Sequence, residues 1–351
     1  MKTILMNGVG GPTPRSFAIA LKKYSRYARC RLIATDCNKF AMGLYQDHLF
    51  SNSFLVPRAT SPEYWPAMEE LIAREGIDFA VVLPEVEALE WSRRAESGVL
   101  PCPSLVPDYR IASQLVDKAV MTKHLEASGL VPKSFSFHRD ELGKKEAFAL
   151  PFPFWIRSSE GSSGLGSLLV KSALELRNWV AINLDVGTFL ASEFLPGRNL
   201  ACKLLYHDGE LLRSAVGERV NYIMAKVAPS GITGNTSFGR LLNDPAVFEA
   251  ARQAMDVLFE ATGARRHGFF TVDLKEDDQG QPKVTEINIR HVAFTQCFAA
   301  GGANFAEDTI RLLDNDQDFE RSFKLYEFEP GLIFLRDVDE LPILMRESEL
   351  L

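Results

Sequence analysis

A polar turn near residue 280 separates two apolar segments, and this pattern constrains the fold more than any other feature of the chain. The segments are Phe269–Leu274 and Lys283–Ile289, and the turn between them contains Gln279-Gly280. Apolar segments of this length on either side of a glycine-containing turn predict an antiparallel hairpin. A turn centred on Gln279-Gly280 places Asp273 directly opposite Glu286.

The two faces of this hairpin differ in chemistry, because side chains alternate between the faces of a strand. The polar face carries Asp273, Glu286, Asn288 and Arg290. The opposite face is apolar and consists of Val272, Leu274, Ile287 and Ile289. Directly opposed carboxylates repel one another, and a magnesium ion with oxygen ligands relieves that repulsion. We therefore predict a metal site formed by Asp273, Glu286 and Asn288; the alternative is a solvated polar face.

The first third of the chain alternates strands and helices. Apolar runs at Thr3–Met6, Arg31–Thr35 and Phe79–Leu83 are separated by helical patterns. This alternation predicts a parallel sheet with helical crossovers. From about residue 150 onward, strands joined by turns predominate. The predicted fold class is therefore α/β, with an α+β arrangement in the C-terminal part.

Composition excludes several classes of protein. The 351 residues include 39 Lys and Arg against 46 Asp and Glu, a net charge of −7 that argues against nucleic-acid and acidic-membrane partners. Five scattered cysteines without a CxxC pair indicate reduced thiols and support neither a disulfide framework nor a zinc site. The chain shows neither a signal peptide nor an apolar run of ~20 residues, so we expect a cytoplasmic protein.

Two further segments have features that suit a nucleotide. The segment 157–166 reads RSSEGSSGLG between two strands, and its glycines and hydroxyls can cradle phosphate oxygens. A flexible hairpin loop is an equally good interpretation of that segment. The segment 192–198 is a strand end that enters a turn, where backbone groups can pair with the edge of an adenine ring. A plain strand-to-turn junction is the alternative there.

The glycine-rich turn Gly8–Thr13 raises a rival hypothesis, a nicotinamide oxidoreductase built on the N-terminal sheet. The turn follows a strand, and Asp36 ends the next strand, as in dinucleotide-binding folds. However, Thr13 stands where the third glycine is expected, and Pro12 and Pro14 interrupt the start of the helix. The match to that fingerprint is therefore weak.

The order of these motifs is specific. Asp117-Lys118 begins a helix, and the Gly/Ser loop, the Glu193–Arg198 segment, Val272-Asp273-Leu274 and Glu286–Arg290 follow in turn. Over about residues 1 to 315 the chain resembles the ATP-grasp superfamily, in particular the branch similar to one half of the carbamoyl-phosphate synthase large subunit. The resemblance implies an N-terminal Rossmann-like pre-ATP-grasp domain (1–112), a small lobe with a lid loop (113–190), a large lobe with the magnesium site (191–330) and a C-terminal extension (331–351).

The resemblance also implies roles for individual residues. Lys118 and Arg157 would contact the α- and β-phosphates of ATP. Asp273, Glu286 and Asn288 would bind two Mg²⁺, or Mn²⁺ in their place, and Arg290 would steady the transferring phosphoryl group. The implied lid loop contributes Ser158, Ser159, Gly161, Ser162, Ser163, Gly164 and Gly166. The implied adenine segment is Glu193, Phe194 and Leu195.

Three positions depart from the family pattern. Arg157 stands where lysine is usual, which keeps the charge but replaces a point charge with a fork. Asn199 stands where a ribose-binding glutamate is common, and this departure makes a ribose contact there doubtful. Ile289 replaces the usual proline between Asn288 and Arg290. None of the three removes an implied metal ligand.

The activity that the resemblance implies is that of an ADP-forming carboxylate–amine ligase, which makes an amide through an acyl phosphate. Two alternatives stay open: a carbamate or carboxylate kinase subunit of a larger synthase, and a non-catalytic nucleotide-binding regulator. Candidate residues for the carboxylate or amine substrate are Arg219, Lys226 and His291; the alternatives are a surface cation for Arg219 and Lys226 and a cap of the strand for His291. The resemblance also allows a homodimer, and the identity of the small-molecule substrates stays open.

Overall fold

The computed structural model describes residues 1–142, 150–161, 164–337 and 343–349. Two predicted loop residues, Ser162 and Ser163, lie outside the described residues. The strands are β1 Thr3–Asn7, β2 Arg31–Asp36, β3 Asn52–Leu55, β4 Phe79–Val81, β5 Ser134–His138, β6 Phe154–Ser158, β7 Leu168–Val170, β8 Thr188–Glu193, β9 Asn199–His207, β10 Glu210–Tyr222, β11 Thr236–Leu242, β12 Gly268–Glu276, β13 Pro282–Asn288, β14 Lys324–Leu325, β15 Leu332–Leu335 and β16 Ile343–Arg346. The helices are α1 Pro12–Tyr24, α2 Tyr64–Glu75, α3 Glu85–Glu96, α4 Tyr109–Leu115, α5 Lys118–Leu125, α6 Ala173–Ile182, α7 Pro245–Thr262, α8 Thr295–Ala300 and α9 Phe305–Leu313.

The strands form three sheets. Sheet A is parallel with the order β3-β2-β1-β4, as the strand–helix alternation predicts. Sheet B is antiparallel with the order β5-β8-β6-β7. Sheet C has eight strands in the order β13-β12-β9-β10-β11-β15-β16, and β14 pairs with β10 in parallel. The fold is therefore mixed α/β, with its antiparallel sheets in the later part of the chain.

Local capping decides where the helices near the site begin. A single helical pattern over 111–129 is interrupted at Val116, because the side chain of Asp117 accepts hydrogen bonds from the backbone of Ala119 and Val120. This cap starts α5 at Lys118 and so places that lysine in the first turn. The long helix α7 begins in the same way at Asp244, whose side chain accepts from the backbone of Val247.

One face of sheet C is sealed by helices, which leaves the other face to form the site. Val272, Leu274 and Ile287 pack into a core shared with α7 and with α4 and α5. The predicted apolar face of the β12–β13 hairpin is thus buried, and its polar face points toward sheet B. Among the described residues, none of the helices combines the length and the apolar character needed to cross a bilayer.

The C-terminal residues differ from expectation. Gly331–Leu335 was expected to be an edge strand within a separate extension. Instead β15 lies between β11 and β16, so this part of the chain completes sheet C. The reason is that Phe334 is fully buried against Phe294, which ties β15 to the centre of the sheet.

Candidate active site

The register of the β12–β13 hairpin brings the two predicted carboxylates together. Asp273 pairs with Glu286 and Thr271 pairs with Asn288, as the sequence predicts. The turn and the strand that produce this register differ from the prediction, however. The turn is closed by Asp277, whose side chain accepts from the backbone of Gln281 at 2.8 Å, and a bulge at Thr285 restores the pairing.

The bulge turns consecutive side chains toward one cavity. Thr285 and Glu286 both line it, and the hydroxyl of Thr285 donates to the carbonyl of Asp273 at 3.1 Å. The cavity has a volume of about 710 Å³ and lies between sheets A, B and C. Asp273, Asn288 and Arg290 line the same cavity. The four predicted polar residues of the hairpin are therefore neighbours in space.

Two cations from elsewhere in the chain flank Glu286. The Nζ atom of Lys118 lies 3.7 Å from one carboxylate oxygen of Glu286 and donates to the carbonyl of Gly161 at 2.5 Å. Arg157, on β6, lies 4.0 Å from the other carboxylate oxygen and donates to the carbonyl of Thr285. Burial lowers the pKa of Arg157 from its ordinary value, with Glu286 opposing the shift. Glu286 thus stands between the two predicted phosphate-binding cations.

Asp273 is held by a third cation. Nη1 of Arg219 donates to Oδ1 of Asp273 at 3.1 Å, and Asn288 donates to Oδ2 at 3.3 Å. The other arginine nitrogens are also engaged, by the Gly234 carbonyl at 2.6 Å and the Thr236 hydroxyl at 3.0 Å. Burial raises the pKa of Asp273, and Arg219 counteracts that shift. Arg219 therefore lines the cavity and orients Asp273, and its contact with a substrate stays a prediction.

The Gly/Ser loop is docked on the opposite wall of the cavity. Gly164 has a φ of +75°, and a Cβ atom placed on it would lie 2.6 Å from the carbonyl oxygen of Ile232. Only glycine fits this conformation and this approach without displacement. The backbone of Lys118 donates to the carbonyl of Ser159 at 2.8 Å, which anchors the near end of the loop. Gly161, Gly164, Ser158 and Ser167 line the cavity, whereas Ser159 and Gly166 do not.

An apolar recess forms the far end of the cavity. Phe194 is 41% exposed and Leu195 is buried, and both line it together with Trp155 and Leu169. Glu193 is fixed by Lys133, whose backbone donates to its carboxylate at 3.0 Å. The predicted adenine segment therefore has an apolar surrounding that sequence analysis did not identify. Trp155 and Leu169 carried no signal beyond strand-like hydrophobicity.

Lys275 is a site residue that sequence analysis missed. Its Nζ donates to the Gly197 carbonyl at 2.9 Å and to the Asn199 side chain at 3.2 Å, and it lines the cavity. The signal was available, because Lys275 lies two residues after Asp273 and so falls on the same face of β12. A cation therefore contacts Asn199, the position at which the resemblance implies a ribose-binding glutamate.

Two predicted substrate residues lie elsewhere. Lys226 is exposed and is not among the residues lining the cavity. His291 is buried, with its ring stacked on Phe269 at 3.6 Å and its Nε2 atom 3.3 Å from the hydroxyl of Thr309. The backbone reversal after Arg290 turns this ring into the core, so the expectation that it lines a substrate pocket is wrong.

A buried lysine lies under the floor of the site. Lys203, on β9, is fully buried on the same face of sheet C as Asp273. Its Nζ lies 4.8 Å from the ring centre of Phe294 and 4.9 Å from that of Phe298. Among the described residues it has no hydrogen-bond partner, and burial lowers its pKa to about 7.

The N-terminal glycine-rich turn does not have room for a dinucleotide on its outer side. A Cβ atom on Gly43 would lie 2.2 Å from the carbonyl of Val9, so the segment around Gly43 is packed directly on the turn. The carboxylate of Asp36 is occupied by the backbone of Gly10 at 2.8 Å and of Asn38 at 2.8 Å. These contacts argue against the nicotinamide hypothesis. The inner side of the turn lines the cavity through Gly8, Gly11 and Thr13.

Comparisons with known proteins agree with this geometry. No family model matches the sequence, and no curated protein matches it. Solved structures do match over 95% of the chain. The L-amino acid ligase from Bacillus licheniformis superimposes with a TM-score of 0.69 at 17% identity, over 79% of its own chain. The N5-carboxyaminoimidazole synthetase from Staphylococcus aureus complexed with ADP gives a TM-score of 0.70 at 13% identity, over 82% of its chain.

A third match is the biotin carboxylase domain of the Hydrogenobacter thermophilus 2-oxoglutarate carboxylase, a dimer in complex with MgADP, ADP and bicarbonate. Its TM-score is 0.66 at 14% identity, and 74% of its chain is covered. These proteins share one fold. The chain has the ATP-grasp fold. The fold prediction is therefore confirmed at this level, and the cavity described above lies between the sheets of that fold.

Proposed function

We propose that the protein is an ATP-dependent carboxylate–amine ligase that forms an amide through an acyl phosphate and releases ADP and phosphate. One observation carries the proposal: Asp273, Glu286 and Asn288 converge in a cavity where Lys118 and Arg157 flank Glu286. Phosphoryl transfer depends on positioning and charge neutralisation, and this arrangement supplies both. The likeness to an L-amino acid ligase and to ADP-bound synthetases supports the same conclusion.

The nucleotide fits the cavity in one direction. The apolar recess at Phe194 and Leu195 suits the adenine ring, because it offers apolar contact beside the backbone groups of a strand end. Lys275 then lies beside the ribose, and Lys118 and Arg157 lie beside the phosphates. In this proposed orientation the terminal phosphate lies near Asp273 and Glu286.

The residues present fit magnesium. Asp273 and Glu286 offer carboxylate oxygens, and the amide oxygen of Asn288 is left free when its nitrogen donates to Asp273. Such hard oxygen donors are those that Mg²⁺ prefers. When bound, Mg²⁺ would neutralise charge on the phosphate oxygens and help to orient them. The chain offers three such donors, enough for two ions that also share phosphate oxygens.

The chemical step is assigned to groups at the end of the nucleotide site. A carboxylate oxygen of the substrate attacks the γ-phosphorus, the bond from that phosphorus to the bridging oxygen breaks, and ADP leaves. An amine nitrogen then attacks the acyl carbon, phosphate leaves and the amine loses a proton. Arg290 lines the cavity where negative charge develops, and the docked Gly/Ser loop excludes water that would hydrolyse the acyl phosphate.

The substrates enter through the end of the cavity that sheet A contributes. The wall there consists of Pro12, Pro14, Leu83, Pro84 and Val292. Arg290 is the cation at this end, and its Nη1 atom donates to the carbonyl of His291 at 3.1 Å. Small molecules with a carboxylate and a largely apolar body match this combination.

We also propose a domain organisation. The unit around sheet A is a Rossmann-like pre-ATP-grasp domain of residues 1–112, and the small lobe extends to Glu193, the last residue of β8, rather than to residue 190. Because β15 and β16 pair within sheet C, the large lobe then includes residues 331–351 instead of ending at residue 330.

An isotope experiment tests the function. The protein is incubated with MgATP, an amine panel and a panel of carboxylates labelled with ¹⁸O. An acyl phosphate intermediate transfers one ¹⁸O atom from the carboxylate to the released phosphate. We expect labelled phosphate in proportion to ADP for at least one pair. Unlabelled phosphate, or no substrate-dependent ADP across the panel, contradicts the proposal.

The same experiment separates the alternatives. A carboxylate kinase forms ADP with the carboxylate alone and yields hydroxamate when hydroxylamine is added, whether or not an amine substrate is present. A non-catalytic regulator binds MgATP without turnover. A ligase requires both substrates for full turnover and yields an amide.

A further inference from the structure

We propose that His207, Asp208 and His267 bind one zinc ion at a site separate from the nucleotide cavity. His207 ends β9, Asp208 is in the turn that leads to β10, and His267 directly precedes β12. None of the three lines the cavity. Along β9, His207 lies eight residues from Asn199, so the site is at the opposite end of sheet C from the ribose-side residues. Sequence analysis had no motif for it, because the ligands are brought together only by strand pairing.

The distances fit a tetrahedral ion. Nδ1 of His207 lies 3.3 Å from Oδ2 of Asp208, and Nδ1 of His267 lies 3.3 Å from Oδ1. The three ligand atoms all lie within 4.8 Å of one another. Zinc bonds to nitrogen and oxygen are about 2.0–2.1 Å long, so tetrahedral ligands are roughly 3.3 Å apart. The two rings face different oxygens of Asp208, so this exposed carboxylate must turn for all three residues to share one ion.

The chemistry of the donors selects zinc over magnesium. Two imidazoles and one carboxylate are typical zinc ligands, whereas magnesium prefers an octahedron of oxygens. Asp208 is exposed, which leaves room for water as the fourth ligand.

Binding of the ion would displace three existing contacts. Arg321 lies 3.4 Å from Nδ1 of His207, Arg265 lies 3.5 Å from Oδ1 of Asp208, and the backbone of Asp208 donates to Nδ1 of His267 at 3.3 Å. Both arginines are exposed and can turn into solvent. Their charge opposes a cation, so removal of Arg321 should strengthen zinc binding. Removal of a ligand should have the opposite effect and weaken zinc binding.

Zinc would link the turn at Asp208 to the loop before β12. Hydrogen bonds already join these two segments, and a further one joins the loop to the segment that precedes α4. The backbone of Gly209 donates to the carbonyl of Arg266 at 2.9 Å, and the backbone of Arg265 donates to Asp108 at 2.9 Å. Asp108 belongs to the segment that leads from sheet A to α4. An ion bound here therefore stabilises the folded chain, because it binds the native state alone.

The test is a titration of the metal-stripped full-length chain with ZnCl₂ in excess Mg²⁺, followed by calorimetry and by thermal unfolding. We expect one zinc per chain and a raised Tm. His267→Gln and Asp208→Asn should each weaken zinc binding by more than the roughly 10-fold that loss of an outer-shell contact costs. Arg321→Ala should tighten it. Tetrahedral cobalt absorption on substitution with Co²⁺ provides an independent readout.

His138 supplies a matched control. Its Nδ1 atom also lies 3.3 Å from a neighbouring carboxylate, that of Asp140, but within the described part of the chain no second histidine joins the pair. His138→Gln should leave zinc affinity unchanged. Equal zinc affinity in the wild-type, His267→Gln and Asp208→Asn proteins overturns the proposal, and so does loss of binding in His138→Gln. Because none of these residues lines the cavity, ligase activity is not the readout, and failure here is distinct from failure of the proposed function.

Discussion

Arg219 and Asp273 form an ion pair of 3.1 Å at the edge of the cavity, with both side chains mostly buried. The pair joins two strands that are not neighbours in sheet C, because β9 lies between β10 and β12. Arg219 also donates to the Gly234 carbonyl and to the Thr236 hydroxyl, so three of its five N–H groups are engaged within the protein. The arginine therefore fixes the direction of a carboxylate that would otherwise be mobile.

Arg219→Gln should destabilise the metal-free protein by roughly 3 kcal/mol, because it leaves a buried carboxylate without its partner. Mg²⁺ should restore most of that loss, since a second cation then compensates Asp273. Chemical denaturation with and without Mg²⁺ measures both effects. Arg93→Gln is the control: Arg93 pairs with Glu90 one turn earlier on α3 and both side chains are more exposed than Arg219 and Asp273, so we expect less than ~1 kcal/mol and no magnesium dependence.

Glu286→Ala should lower turnover by on the order of 100-fold or more, because it removes the carboxylate between Lys118 and Arg157. The fold should persist, since the side chain faces the cavity and not the core. Steady-state ADP release and circular dichroism measure the two properties. Asp278→Asn, in the turn of the same hairpin, should retain full activity. Full activity in Glu286→Ala would remove this residue from the mechanism.

Gly164→Ala should impair catalysis more than nucleotide affinity. The new Cβ atom would lie 2.6 Å from the Ile232 carbonyl and would lift the loop from the opposite wall. We expect kcat to fall about tenfold while the Kd for MgATP changes little. Gly280→Ala has nearly the same φ, +76° against +75°, but open space around it, so it isolates the backbone cost of about 1–2 kcal/mol.

Glu87 should make stability depend on pH. Burial raises its pKa from 4.5 to about 7. A raised carboxyl pKa contributes stability that is fully present below pH 4.5 and is lost as the pH rises through 7. Glu87→Gln should therefore flatten the pH profile of unfolding and be more stable than wild type above neutrality, by on the order of 1–3 kcal/mol. Glu96→Gln, exposed on the same helix, should preserve the wild-type slope.

Lys203→Met should stabilise the protein. Burial lowers the pKa of Lys203 from 10.5 to about 7, so the charged form is penalised at and below neutrality. A lowered lysine pKa costs most at low pH, and that cost disappears as the pH rises toward 10.5. We expect a gain on the order of 3 kcal/mol at neutral pH that shrinks in alkali. Lys171→Met, at an exposed position, should change little; an equal gain there would refute the explanation.

Sequence reasoning was most successful where side chains alternate. The two faces of the β12–β13 hairpin followed from alternation, and the pairing of Asp273 with Glu286 followed from the assumed turn centre. The bulge at Thr285 could not be foreseen, because a turn that differs by one residue and a compensating bulge give the same pairing. The prediction thus reached the right register with the wrong turn centre.

The central strands β10 and β11 escaped prediction for a different reason. Over most of its length β10 is buried on both faces, and it carries Arg213 among its buried residues. That charge is satisfied by the Ser322 carbonyl at 2.9 Å and by Asp308 at 3.8 Å, which are distant in sequence. A strand whose polar residues are satisfied by remote partners shows no alternation. Lys203 lies in β9, which is likewise buried along most of its length, so its sequence shows no alternation either.

The wall that receives the Gly/Ser loop is tied to the metal ligands, because Arg219 contacts both Asp273 and the Gly234 carbonyl near Ile232. Two equilibria that share one residue are thermodynamically linked, and such linkage is reciprocal. If cation binding at Asp273 raises the equilibrium constant for loop docking by some factor, loop docking raises the affinity for the cation by that same factor. Release of product and release of the ion should then be correlated events rather than independent ones.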